Sequence, residues 1–372
     1  MTRKTILFIL LFSIALLSAS AQNIQSERDD SLTLLFVGDA MMHQTQINST
    51  QRGNTFDTYG YYTHILSEIE SADVAVVNLE APLAGEPYSG YPVFSSPDEF
   101  AASMQKAGFD LFLFANNHCL DKGTKGLVRT HAVLDSLGIR HIGTYLDEED
   151  RKRSCPFLLR KKGFRIIMLK YTYGTNGFSV TPPRIINYID KNVMEADIKE
   201  AKLFCPDFII ANIHWGEEYV QKPSERQQEL ADWLFAQGVD VVMGSHPHVV
   251  QPMEMRKDSA GVNRNLVVYS LGNFVSNMSI RNTRGGAMVK LKLCRKRFDR
   301  YIGSAQYAIL FNDRYTNDRG NMDMKIVPAA TWYEKGGDGT SVLDPGAIRQ
   351  YIDDTRTLLK NNNVGVDEYT FE

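Results

Sequence analysis

LTLLFVGD, residues 32–39, is the first stretch of the chain that reads as a buried strand running into a functional loop. Its first six residues are apolar or β-branched and lack the polar alternation of a half-exposed strand, as in strands covered on both faces. Gly38 and Asp39 follow at once. Similar apolar runs that end in polar side chains recur along the chain, which indicates a sheet whose strand ends carry chemistry.

Further apolar runs alternate with amphipathic segments, and this βαβα pattern predicts an α/β fold. The other predicted strands are residues 74–79, 111–115, 165–171, 208–214, 239–244 and 266–271. The predicted helices are residues 57–70, 97–107, 124–137, 193–203 and 224–237. We expect one main domain over residues 30–280. A strand over 287–293, surface turns over 312–323 and a helix over 344–361 would then form a C-terminal appendage over residues 281–372.

The composition excludes several classes of protein. The 372 residues are 43% hydrophobic and 23% charged, values typical of a globular chain. Because 41 basic residues face 44 acidic ones, the net charge is −3, and the broad basic field of a nucleic-acid-binding protein is missing. Nucleic acid is therefore not an expected partner. Four widely spaced cysteines form neither a disulfide scaffold nor a metal motif, and we assign them no role: Cys119, Cys155, Cys205 and Cys294.

The N-terminus has the layout of a secretory signal peptide. Arg3 and Lys4 precede the apolar residues 6–17, and Ala19-Ser20-Ala21 follows. The alternative is a retained membrane anchor, but the apolar run is shorter than the roughly 20 residues that a membrane-spanning helix needs. We expect residues 1–21 to be removed, which would leave no stable membrane span. The protein would then be secreted across the inner membrane, to the periplasm or the cell surface.

Candidate ligands follow five of the predicted strands. Because the carboxyl ends of strands line the ligand crevice of open α/β sheets, these side chains are expected to converge. Alone, each has an ordinary explanation, as a turn residue, a loop cap or a structural imidazole. Together they predict one site. The residues are Asp39, Asn78 and Glu80, Asn116, Asn117 and His118, His214, and the pair His246 and His248.

This donor set contains oxygen and imidazole groups and no thiolate. Such a set suits Mn, Fe or Zn better than an iron–sulfur cluster or Cu(I). It also exceeds what one tetrahedral ion takes, whereas two ions about 3.5–4 Å apart commonly share a bridging carboxylate. The sequence therefore predicts divalent metal ions, most simply two, of unknown identity.

The same blocks resemble the CapA family of capsule and poly-γ-glutamate biosynthesis proteins, which is similar to the calcineurin-like metallophosphatases. They occur in order over residues 32–276: Gly38-Asp39, Asn78-Leu79-Glu80, Asn116-Asn117-His118 with Asp121, His214-Trp215-Gly216-Glu217-Glu218-Tyr219, Gly244-Ser245-His246-Pro247-His248 and Leu271-Gly272-Asn273-Phe274. The resemblance implies a four-layer α/β/β/α sandwich with two mixed sheets and a bimetal site at one edge.

The resemblance also implies roles for individual residues. Six would be metal ligands, with Glu80 in the bridging position: Asp39, Glu80, Asn117, His214, His246 and His248. His118 would be the general acid, and Asp121 would orient its ring, since a carboxylate fixes the tautomer of a neighbouring histidine. Six more would surround the ligands or contact the substrate: Asn78, Asn116, Trp215, Glu217, Glu218 and Tyr219.

The chain departs from the phosphatase pattern beside Asp39. Phosphatases of this kind carry histidine two residues after the first aspartate, where this chain has Met41. His43 lies four residues on and is expected at the surface or behind the ligands. The Asn78/Glu80 pair also replaces a phosphatase aspartate, so phosphatase activity does not simply transfer.

Three functions are compatible with these residues. The first is a secreted hydrolase of capsule, poly-γ-glutamate or exopolysaccharide biosynthesis, which uses a metal-bound hydroxide on a phosphoester or amide of an envelope polymer. The second is a non-catalytic capsule-assembly factor that keeps the metal site and works with other assembly proteins. The third is a periplasmic phosphodiesterase. Only the family resemblance indicates that the polymer or its precursor is a partner.

Overall fold

A computed structural model of the chain describes residues 30–296 and 299–371. The predicted signal peptide, residues 1–21, lies outside the described residues. Across the described part of the chain, no helix combines the length and the apolar character that a membrane crossing requires.

The described residues form strands and helices that alternate through the first two thirds of the chain. The strands are β1 (Asp30–Ala40), β2 (Gln51–Arg52), β3 (Thr55–Phe56), β4 (Val74–Leu79), β5 (Leu111–Leu113), β6 (Arg140–Ile142), β7 (Thr144–Tyr145), β8 (Phe157–Lys161), β9 (Phe164–Thr172), β10 (Ile185–Ile186), β11 (Phe208–His214), β12 (Val241–Ser245), β13 (Met253–Lys257), β14 (Asn263–Val268), β15 (Asn273–Val275), β16 (Gly285–Lys296), β17 (Asp299–Thr316), β18 (Met322–Pro328) and β19 (Asp367–Glu368). The helices are α1 (Gln44–Thr50), α2 (Leu66–Ser71), α3 (Asp98–Lys106), α4 (Gly123–Ser136), α5 (Glu148–Ser154), α6 (Lys191–Leu203), α7 (Glu225–Ala236), α8 (Ala329–Glu334) and α9 (Pro345–Asn362), with 3-10 turns at Tyr59–Tyr62 and Arg281–Thr283.

Two mixed sheets form the centre of the molecule. The first follows the order β18-β17-β16-β1-β4-β5-β6, with β15 beside β1 and β19 beside β17. The second follows the order β13-β14-β12-β11-β9-β8. Each sheet has a parallel centre and at least one antiparallel edge: β1, β4, β5 and β6 are parallel, as are β9, β11, β12 and β14.

The core shows that the two sheets are stacked between helices. Leu34 and Phe36 of β1 share an apolar cluster with Ile166 and Ile210 of the second sheet. Their strand neighbours point the other way, and Leu35 packs with the side chains of α3 and α4. A third cluster joins the far face of the second sheet to α6 and α7. This is the expected four-layer α/β/β/α arrangement, and it explains why β1 is apolar on both faces.

The segment after residue 280 is built into the first sheet, which differs from the expected appendage over 281–372. β16 pairs antiparallel with β1, from Asp30 opposite Arg295 to Phe36 opposite Val289. β17 and β18 then extend the same sheet, and α9 packs Ile348 and Tyr351 into the core between the sheets. Strands from both sides of residue 280 therefore belong to one hydrogen-bonded sheet. The apolar pattern identified a strand here but not the strand with which it pairs.

The predicted helix over 57–70 is the other clear difference. This stretch forms the 3-10 turn Tyr59–Tyr62 and then the short helix α2. Tyr61 and Tyr62 are both buried, and the Tyr62 ring stacks on Phe274 with the ring centroids 5.9 Å apart. Packing of these large rings fixes the local backbone more strongly than helix propensity does.

Candidate metal centre

The end of β1 places Asp39 at the edge where the two sheets meet. The Asp39 amide donates a hydrogen bond to the Gly272 carbonyl at 3.0 Å, and Asp39 pairs in register with Asn78 on one side and Asn273 on the other. Gly38 lies directly against Gly272, and only a residue without a side chain fits there. Asp39 itself is fully buried.

Asn78 links the two carboxylates of the site. Its Nδ2 atom donates to Asp39 Oδ1 at 2.9 Å and to Glu80 Oε2 at 3.1 Å. Both carboxylates are 0% exposed. Asn78 therefore lies between the two carboxylates and orients both through a single amide group.

Three imidazoles surround these carboxylates. His214 Nε2 lies 3.4 Å from Glu80 Oε1 and 2.7 Å from Asn117 Oδ1, while its Nδ1 lies 2.8 Å from Ser245 Oγ. His248 Nδ1 lies 3.2 Å from Asp39 Oδ2, and its Nε2 lies 3.9 Å from Glu80 Oε1. His246 donates its backbone amide to Asp39 Oδ2 at 3.2 Å.

The loop that carries His246 and His248 has an unusual backbone. Both residues have positive φ, 102° and 57°. For residues other than glycine this conformation is costly and persists only where the surrounding structure enforces it, often at functional sites. The turn presents both rings to Glu80.

The ligand atoms form two groups that share one residue. The first is Asp39, Glu80 and His214, and the second is Glu80, His246 and His248; within each group the candidate atoms lie within 4.8 Å of one another. Asn117 reaches the first group through His214. Glu80 is thus the residue that the two groups have in common.

The electrostatics of the site fit a bound cation. Burial raises the pKa of Glu80 far above its usual value, and the neighbouring Asp39 charge raises it further. Burial acts in the same direction on the pKa of Asp39, but hydrogen bonding and charge from His248 outweigh it and lower that pKa. Glu80 Oε1 and His246 Nδ1 are buried and, among the described residues, without a hydrogen-bond partner. Buried oxygen and nitrogen atoms that have lone pairs but no hydrogen-bond partner fit a divalent metal ion.

Two of the histidines, His214 and His246, are already in the neutral form that binds metal. Burial, followed by the charge of His246, holds the pKa of His214 well below its usual value. Burial and then the charge of His248 lower the pKa of His246 to about 3. Both rings are therefore neutral near pH 7, and a metal ion does not have to displace a proton from them.

His118 and Asp121 form a pair beside the ligands. His118 Nδ1 lies 2.7 Å from Asp121 Oδ2, which also accepts the Phe94 amide at 2.7 Å. Asn116 fixes the loop, since its Oδ1 accepts the His118 amide and its Nδ2 donates to the Leu79 carbonyl at the end of β4. Both members of the pair are buried.

The segment after His214 divides into a buried part and an exposed part. Trp215 is buried and donates its Nε1 to the Tyr269 carbonyl at 2.9 Å. Glu217, Glu218 and Tyr219 are exposed, and the Tyr219 ring lies 6.2 Å from His248 between centroids. Trp215 is thus a packed wall, whereas the next residues reach solvent beside the ligands.

The family model described as "Bacterial capsule synthesis protein PGA_cap" matches residues 33–278. These residues contain every strand end described above. The chain belongs to this family.

Two curated relatives carry capsule names. The chain is 28% identical over 289 residues to the capsule biosynthesis protein CapA of Bacillus anthracis, a match covering 73% of this chain and 66% of that protein. It is 27% identical over 298 residues to the PGA biosynthesis protein CapA of Bacillus subtilis strain 168, covering 77% and 75%. Among solved structures, a phosphatase from Mycoplasma pneumoniae aligns with a TM-score of 0.45 at 13% identity, covering 76% of this chain and 94% of that one.

In this PGA_cap chain, Met41 is a buried apolar residue. It packs with Ala81 and Phe94. His43 lies behind them: its ring is 5.5 Å from Phe94 between centroids, and its Nδ1 accepts the Asn277 amide at 3.2 Å. Burial lowers the pKa of His43 to about 4. His43 belongs to neither ligand group, so the position of the phosphatase histidine has no replacement within these two groups.

Lys170, near the carboxyl end of β9, is a residue of the site that the strand-end pattern does not predict. Its side chain is buried, and its Nζ has no hydrogen-bond partner among the described residues. Burial lowers its pKa to about 8, although the charges of Asp39 and Glu80 act to raise it. The signal was a lone lysine inside a strand that is otherwise largely apolar. Lys170 therefore places a positive charge close enough to Asp39 and Glu80 to interact with both carboxylates.

Lys170→Met should therefore bind metal more tightly than the natural chain. Methionine keeps the volume but removes a cation that repels a divalent ion through a medium of low dielectric constant. We expect about a tenfold gain in Mn²⁺ affinity by isothermal titration calorimetry, equivalent to roughly 1.4 kcal/mol. Lys292→Met, on an exposed position of β16, is the control. Unchanged or weaker binding in Lys170→Met would refute this role.

Proposed function

We propose that the protein is a secreted, metal-dependent hydrolase of capsule or exopolysaccharide assembly that acts on a phosphoester or amide of an envelope polymer. The observation that carries this proposal is the shared position of Glu80 in two ligand groups, with His118 and Asp121 beside them. Membership of the capsule synthesis family supports the polymer pathway. The names of the two Bacillus relatives support the same pathway for those proteins.

The metal ligands would be Asp39, Glu80, Asn117, His214, His246 and His248. Ions held there would supply Lewis-acid polarisation of the substrate and stabilise negative charge as it develops. Two ions, of Mn, Fe or Zn, suit the two groups that share Glu80.

His118 would act on the leaving group. Asp121 accepts a hydrogen bond from His118 Nδ1, which leaves Nε2 as the nitrogen that exchanges a proton with the substrate. From Nε2, His118 would donate a proton to a departing oxygen or nitrogen. Phe94 packs edge-on to the imidazole, with the ring centroids 4.8 Å apart, and limits its rotation.

A second candidate is a non-catalytic assembly factor that keeps the metal centre. The observation that favours it is Met41, which puts a buried thioether side chain where a phosphatase has an imidazole. Such a protein would bind metal and polymer without turnover.

His118→Asn separates the two candidates. In a hydrolase, loss of proton transfer should lower kcat about 100-fold or more, with metal content unchanged because His118 lies outside both ligand groups. The assay uses metal-loaded protein with aryl phosphates, phosphodiesters and poly-γ-glutamate. His131→Asn is the control, since His131 is buried in α4 and hydrogen-bonded to Thr144.

Equal turnover by His118→Asn and the natural chain would contradict the proposed mechanism. If the metal-loaded natural chain hydrolyses none of these substrates, and His118→Asn restores capsule formation to a deletion strain, the assembly role replaces the hydrolase. Turnover of small phosphodiesters without any effect of deletion on the capsule would instead indicate a general phosphodiesterase.

A further inference from the structure

A cavity of about 460 Å³ opens beside the metal centre. Its volume is within the range of roughly 300–1,000 Å³ that small-molecule sites occupy. The walls include two aromatic rings and several groups that can donate or accept hydrogen bonds: Tyr173, Trp215, Glu217, Arg226, Gln227 and Glu229.

Tyr173 connects this cavity to the metal ligands. Its ring stacks on His214 at a centroid distance of 6.3 Å and an interplanar angle of 10°, and it lies 4.5 Å from His246. The ring is still 47% exposed. Trp215 directly follows His214 in the chain. A ligand in the cavity would therefore touch the residues that flank the reacting position.

The charges of the cavity are balanced. Glu217 and Glu229 offset Lys191 and Arg226 around the wall, and the Lys191 ammonium already faces the Trp233 ring, 5.4 Å from its centroid. Glu218 follows Glu217 on the same exposed loop. A poly-γ-glutamate chain carries one carboxylate per residue, and binding it would require an excess of positive charge that this wall lacks.

A sugar ring matches this lining better. Its hydroxyl groups both donate and accept hydrogen bonds, so they can pair with carboxylates and with a guanidinium at the same time. Its apolar face can cover an aromatic ring, and Tyr or Trp provides that surface at low cost in conformational entropy. None of these contacts requires a net charge on the ligand.

We propose that this cavity is a sugar-binding subsite, so that the substrate is a glycan phosphoester rather than poly-γ-glutamate. This inference rests on the proposed function, because the adjacent metal centre would bind the phosphoryl group of the substrate. The phosphoryl group would face the metal ligands, and the sugar would lie between Tyr173 and the polar wall.

Binding is measured on metal-loaded His118→Asn protein, so that no substrate is consumed. The probes are glucose 1-phosphate, N-acetylglucosamine 1-phosphate, inorganic phosphate and tri-γ-glutamate, titrated by calorimetry. We expect at least one sugar phosphate to bind tenfold or more tightly than inorganic phosphate, and tri-γ-glutamate to bind more weakly than either sugar phosphate.

Two variants test whether the cavity residues cause the preference for sugar phosphate over inorganic phosphate. Arg226→Gln combined with Glu229→Gln, and separately Tyr173→Leu, should reduce the preference for sugar phosphate to less than threefold. The affinity for inorganic phosphate should stay the same in the double variant, because both residues line the cavity wall and neither is assigned a role at the metal centre. Glu225→Gln, on the same helix but outside the cavity wall, is the control and should keep the full preference.

Failure of this inference is distinguishable from failure of the hydrolase proposal. Equal binding of sugar phosphate and inorganic phosphate, or tighter binding of tri-γ-glutamate, would overturn the sugar subsite even if the natural chain hydrolyses phosphoesters. A strong sugar preference that the cavity variants abolish would support the subsite even if no turnover is found.

Discussion

Glu80→Gln should abolish tight binding of metal in both ligand groups. Glu80 is shared by the two groups, with Asp39 and His214 on one side and His246 and His248 on the other. Glutamine keeps the size of the side chain but removes the charge that a bridging ligand contributes. We expect Mn²⁺ affinity to fall by at least about 100-fold, measured by calorimetry and by metal analysis after gel filtration.

The metal-free Glu80→Gln protein should be no less stable than the natural chain. Burial and the Asp39 charge make an ionised Glu80 unfavourable in the absence of a cation, and a neutral amide removes this cost. Melting temperatures with chelator present test this contrast. Glu254→Gln, half-buried on β13 and paired with Arg256, is the control for metal binding. Retention of two ions by Glu80→Gln would refute the bridging role.

Of all single methyl groups that could be added near the site, the one in Gly38→Ala should destabilise the fold most. A Cβ atom at residue 38 would lie 1.9 Å from the Gly272 carbonyl oxygen. This oxygen belongs to the backbone and also accepts the Asp39 amide, so relief of the clash would separate β1 from the segment that carries Asn273. Asn273 in turn contacts His248, with Oδ1 and Nδ1 3.1 Å apart.

We expect Gly38→Ala to destabilise the fold by about 3 kcal/mol or more, the upper range for overpacking, and to weaken metal binding at the same time. Thermal unfolding with chelator present gives the first quantity and calorimetry the second. Gly60→Ala is the matched control, because a Cβ there meets no atom within 4 Å, and it should change stability by less than roughly 0.5 kcal/mol. Equal melting temperatures for the two variants would contradict the close-approach argument.

The sequence predicted the strands that are buried on both faces with high accuracy. The predicted strands 74–79 and 208–214 coincide with β4 and β11. Such strands produce continuous apolar runs, because each face packs on a separate layer. The same logic located the candidate ligands, since the ends of parallel strands meet at one edge of a sheet. Asp39, Glu80 and the three imidazoles do lie together.

Contacts between distant segments could not be predicted in this way. Residues 312–323 were expected to be surface turns, but they include the end of β17 and the start of β18, and Asp313 is fully buried beside Lys325. Polarity alone indicated exposure, whereas an ion partner from the neighbouring strand permits burial. The double hydrogen bond from Asn78 and the charge of Lys170 likewise depend on how the two sheets stack.

The most direct test of the metal centre is anomalous diffraction from crystals grown with Mn²⁺. Two strong peaks should flank the Glu80 carboxylate, one in contact with Asp39 and His214 and the other with His246 and His248. Manganese peaks only elsewhere in the molecule, with these side chains free of metal, would contradict the account.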